Sequence, residues 1–102
     1  MDLNLNQVKG FDKIASDMRI LLVNSFEKLG PKMSEVLYKA MASVISIGTS
    51  DIPNADKYLG IVKIKTAIAS SINPEIKPEA QLVLDGILSD LDSLKSLLLK
   101  NV

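Results

Sequence analysis

Apolar residues recur along this chain at the alternating three- and four-residue spacing of a helix face, in four blocks separated by glycine- and proline-bearing breaks. In the first block Val8, Phe11, Ala15, Met18, Leu22, Ser25 and Leu29 keep that spacing, with Ile14, Leu21 and Phe26 flanking it. The pattern predicts an amphipathic helix over 6–29. Asn6 stands as its N-cap and Gly30-Pro31 as its stop, the proline opening the next helix. Met33, Val36, Leu37, Ala40, Met41, Val44 and Ile47 then predict a second helix over 31–47, ended by Gly48. So short a connection makes the two helices antiparallel neighbours or one sharply bent rod, and the hairpin is the expectation.

Residues 48–54 carry turn chemistry, with Ser50, Asp51 and Asn54 as candidate N-caps for a third helix over 54–72. Tyr58, Ile61, Ile64, Ile68 and Ile72 share one face of it. Residues 60–66 also alternate and are rich in β-branched side chains, as a strand would be. A lone strand has no partner to pair with, so helix is the expectation. Pro74 and Pro78 exclude regular helix through Lys77, because a proline disfavours α geometry in the residue before it. A loop follows, and Pro78 starts a fourth helix over 78–100.

That last helix carries the most regular pattern. Ala80, Leu84, Ile87, Leu91, Leu94 and Leu98 are separated by four, three, four, three and four residues, a seam that packs knobs into holes. Val83, Leu88 and Leu99 widen it. At roughly 100° per residue the opposite side carries Gly86, Ser89, Ser93 and Ser96, framed by Leu82 and Leu97. Small residues there would let a second helix approach closely, whereas a plain solvated serine face is the simpler reading. In the first helix Ile20 is the apolar outlier, opposite the main apolar face. Ile20, Leu82, Gly86, Ser89, Ser93 and Leu97 are therefore the candidate interface. The fold expected is all-α: one domain over 1–102, an antiparallel four-helix bundle whose core oligomerisation could complete.

Composition narrows what such a bundle can do. There is no Cys and no His, so disulfides, thiolate zinc sites, cysteine nucleophiles and the commonest general base are all absent. Acids and bases number twelve each, six of each in either half of the chain, and no net field draws in nucleic acid. Eleven of the twelve bases are Lys and only Arg19 can make bidentate phosphate or guanine contacts, which argues further against a nucleic-acid partner. An apolar fraction of 47% with 24% charged residues requires burial within the chain or against a partner. No signal-peptide pattern and no apolar run of about 18 residues occurs, so the expected location is the cytoplasm or an assembled particle.

Candidate chemistry adds little. Asp90 and Asp92, two apart on a helix, point to different sides and cannot share a proton or a metal, and Asp12 and Asp17 are similarly splayed. Lys57, Lys63 and Lys65, with Tyr58, form a candidate basic patch for phosphate or an acidic partner; the simpler reading of Lys65 is a lysine reaching from the apolar face to an acid of the last helix. The triplet Asp92-Ser93-Leu94 resembles the attachment sequence of acyl carrier proteins. The resemblance spans three residues, and Ser93 lies deep in the last helix, whereas that family's serine opens one. No metal, cofactor or catalytic residue is therefore expected.

The function expected is a non-enzymatic assembly or structural protein working through helix–helix protein contacts, with self-association as its partner mode. Abundant Ile, Lys and Asn with a single Arg reads as an AT-rich coding sequence, of the kind that encodes phage, plasmid or bacterial accessory proteins, and a phage or other particle subunit is the setting considered. A monomeric regulatory or immunity-type module docking on a target protein is the alternative. A lipid or apolar-ligand carrier is a third, since aliphatic bundles can open a cavity between helices.

Overall fold

The first predicted helix forms in two pieces. In the computed structural model, which describes residues 5–100, α1 runs Leu5–Asn24 and a single turn, α2, runs Phe26–Leu29. Asn24 and Ser25 are weak helix formers whose side chains compete for backbone groups. At Ser25 the backbone leaves the helical region (φ −132°, ψ 28°). Its N–H still donates to the Leu21 carbonyl at 2.9 Å, but its own carbonyl accepts from Lys28 and Leu29, both at 3.0 Å, so the ladder restarts. Leu29 reaches the core, while Phe26, expected on the flank of the apolar face, is turned out and 55% exposed. Asn6 lies within α1 and is not an N-cap.

Gly30 makes the reversal between α2 and α3 (Pro31–Thr49) with φ 82° and ψ 159°, a conformation essentially confined to glycine. Pro31 is the first residue of α3, as its fixed φ suits. Gly48 does not end this helix, contrary to its reading as a stop. A Cβ there would lie 3.0 Å from Cβ and Cγ of Phe11, so the glycine lets α1 approach α3 closely. The helix ends at Ser50, whose hydroxyl donates to the Ser46 carbonyl.

Residues 60–66 are helical, inside α4 (Asn54–Ser70). None of Ser50, Asp51 and Asn54 holds the N-cap position, which falls to Pro53. Ile61, Ile64 and Ile68 are buried and Tyr58 is half-buried. Helix α4 stops two residues short of the expected end because the Ser71 N–H turns back to the Ile68 carbonyl and its hydroxyl donates to the Ala67 carbonyl. Ile72 consequently falls in the loop, 40% exposed, and Ile76 takes a core place instead. Asn73 shapes that loop: its side-chain oxygen accepts from the Glu75 N–H and its carbonyl from the Ile76 N–H. The Lys77 N–H donates to the Lys28 carbonyl at 2.8 Å and ties the loop to α2.

Helix α5 (Pro78–Lys100) buries all six residues of its heptad seam to 1% exposure or less. The four long helices form a ring in which α1 packs on α3 and α5, and α4 packs on α3 and α5. Phe11, Ile14, Met18 and Leu21 of α1 meet Met33, Leu37, Ala40 and Val44 of α3, and the isoleucines of α4 complete the core against α5. The result is an up-down-up-down bundle 44 Å long, with no strand among the described residues.

Candidate interaction surface

Three pairs set the register of α1 and α2 against α5. A Cβ on Gly10 would lie 3.1 Å from Leu94 Cδ1, Lys13 Nζ is 2.7 Å from Asp90 Oδ2, and Lys28 Nζ of α2 is 3.4 Å from Glu79 Oε2. The two helices run antiparallel, and Ile20 stands level with the stretch from Leu82 to Gly86. Rotation of about 100° per residue places Ile20 on the α5-facing side of α1, the side that also carries Lys13. The same rotation places Gly86, Ser93 and Leu97 within about 60° of Asp90, on the α1 side of α5, and Leu82 about 80° from it, pointing outward. Five of the six candidate interface residues thus come to one outer face made by two helices, and Ser89 sits at its edge.

The exposed part of this face is apolar at one end and hollow at the other. Ile20 is 51% exposed, Leu82 76% and Val83 44%, and nothing lies within 4 Å of where a Cβ of Gly86 would be. At the far end Gly10, Ser93, Leu94 and Leu97 border a shallow hollow, with Leu97 half-buried. Between the two ends Lys13 donates to both Asp17 (2.9 Å) and Asp90 (2.7 Å). Its hydrogen bonds to Asp90 first and Asp17 second hold the Lys13 ammonium above its ordinary pKa. This link between carboxylates of two helices is not visible in the spacing of either helix alone.

The three lysines of the candidate basic patch point to different places. Lys57 Nζ lies 5.8 Å from the centre of the Phe11 ring, within cation–π range. Lys63 borders a groove between α3 and α4 beside Lys39. Lys65 reaches Asp92 Oδ1 of α5 at 2.6 Å, and Lys95 approaches the same oxygen at 3.4 Å. The Lys65 hydrogen bond chiefly holds the Asp92 carboxyl below its usual range. They do not converge into one cationic site. Asp90 and Asp92 are accordingly engaged by lysines of different helices.

Val23 (73% exposed) and Phe26 (55%) extend the apolar end of the bundle beyond the predicted residues. Val23 carried a signal, three residues after Ile20; the exposure of Phe26 depends on the break at Ser25. Among the described residues no three carboxylates gather at a metal-sized position, and no helix is long and apolar enough to cross a membrane. No family model, curated protein or solved structure matches the chain.

Proposed function

We propose that this protein is a non-enzymatic assembly subunit that associates with itself through helix–helix contacts on the outer α1/α5 face. The observation that carries this reading is Leu82, the most exposed large apolar side chain of the described residues at 76%, standing beside Val83 and level with Ile20 on one face. A single exposed leucine is ordinary on a protein surface; adjacent large apolar side chains on one two-helix layer favour a protein partner. The separation of Lys57, Lys63 and Lys65, together with zero net charge, weighs against an anionic polymer as that partner. A subunit of a larger particle, of phage or other origin, is the setting this reading favours.

Light scattering or native mass spectrometry at tens of micromolar tests it. A mass above that of one chain is expected. A strict monomer at that concentration contradicts the proposal and favours the alternative, a module that docks on a different target protein.

A further inference from the structure

The two ends of the α1/α5 face differ in a complementary way. At the α2 end Ile20 and Leu82 project, 51% and 76% exposed. At the other end Gly10, Ser93 and Leu97 border a hollow of about 170 Å³ that Ile14 and Leu94 also line and that the Lys13–Asp90 pair closes toward the middle of the face. Between them the outer line of α5 carries only Gly86 and Ser89, which leave room for close approach. A two-fold axis lying in the face and perpendicular to the helices exchanges the ends while keeping α5 over α5 and α1 over α1. Such an operation sets the projecting end of one copy on the hollow of the other, and does so twice, as an isologous interface requires.

Building on the self-association proposed above, we infer that the face pairs with a second copy about such an axis near Ser89 and Asp90, with the two α5 helices antiparallel. In this register Leu82 meets the second copy's Leu97, Gly86 meets its Ser93, and Ile20 meets its Gly10. Charge agrees with the same register. Glu79 at the start of α5 comes opposite Lys100 at its end. Within one chain Glu79 has only the 3.4 Å contact to Lys28, both side chains being more than half exposed, and Lys100 has no ion pair among the described residues. Asp90, near the axis, shares the Lys13 ammonium with Asp17, so each copy brings one net negative charge there, which the contacts at the two ends must outweigh. A two-fold parallel to the helices would instead set the projecting end on itself and leave the hollow facing the other hollow.

The chain has no cysteine, which makes disulfide trapping direct. Ser89→Cys, Leu82→Cys and Leu97→Cys are made singly, each at a site outside the core, in the full-length protein. Under mild oxidation Ser89→Cys is expected to form a disulfide dimer in most molecules. An equimolar mixture of Leu82→Cys with Leu97→Cys is expected to cross-link at least tenfold more than Leu82→Cys alone. In the inferred register two copies of residue 82 lie ~22 Å apart, 15 residues at the helical rise. Native mass spectrometry of the unmodified chain is run alongside. Dimers that form without this cross-linking pattern overturn the antiparallel arrangement and leave self-association standing; a monomer overturns both.

Discussion

Gly30 is the residue on which the first hairpin turns, and its φ of 82° with ψ of 159° is closed to side-chain-bearing residues. A Cβ there would also lie 3.2 Å from Glu75 Oε2 of the loop opposite. Gly30→Ala is therefore expected to lower stability by about 1–3 kcal/mol, read from the midpoint of urea unfolding. Ser34 works in the other direction. Its residue is 4% exposed and its hydroxyl has no hydrogen-bond partner among the described residues, so it carries a desolvation cost without return. Ser34→Ala is expected to raise stability by about 1 kcal/mol in the same assay, and a loss of that size would mean that the hydroxyl is bonded in solution. Titration follows from two exposed groups. Lys13, raised above its ordinary 10.5, keeps its stabilising pairs below that pH and loses them only as pH climbs through the raised value. Asp92, lowered from 3.8, stabilises above that pH and loses its contribution as acid passes through the lowered value. With no His in the chain, the thermal midpoint is expected to be flat from about pH 5 to pH 7 and to fall off gently below about pH 4, gently because exposed pairs contribute little.

Among the elements, α5 was the most legible in the sequence, and for a physical reason. Six apolar residues at strict heptad spacing can bury together only as one side of a helix, and each of the six is buried. Leu91→Ala, at the middle of that seam, is expected to cost about 2–5 kcal/mol, whereas Leu82→Ala should stay within about 0.5 kcal/mol for the isolated chain. Gly86 separates fold from association still more clearly. With open space around it, Gly86→Ala should add about 0.5–1 kcal/mol to chain stability through helix propensity, while filling part of the close-approach line and weakening association. What the pattern could not show were events at element ends. The break at Ser25 keeps Leu29 in phase with the core, so the spacing of apolar residues runs across it unbroken. Gly48 reads as a stop when only its own helix is considered, and Phe11 of another helix decides its role. The exchange of Ile72 for Ile76 depends on where α4 ends, set by hydrogen bonds from Ser71.

At the scale of the whole molecule, the bundle follows from four helix-period blocks joined by short connections, which leave little choice of arrangement. The candidate surface was legible only in part. Each helix showed its own outliers, Ile20 on one and Leu82 and Leu97 on the other, but that they share a face depends on the register fixed by Gly10–Leu94 and Lys13–Asp90. The basic patch failed to gather for the converse reason: Lys65 is held by Asp92 and Lys57 lies over Phe11, contacts between helices that spacing within α4 does not encode. Self-association through the outer α1/α5 face is the central claim, and sedimentation velocity over a dilution series, on the unmodified chain and on Leu82→Glu, tests it most directly. The unmodified chain is expected to sediment as an oligomer that dissociates on dilution, and Leu82→Glu as a monomer with an unchanged helical spectrum and unfolding midpoint. Identical sedimentation of the two proteins, whether both monomeric or both associated, would contradict it.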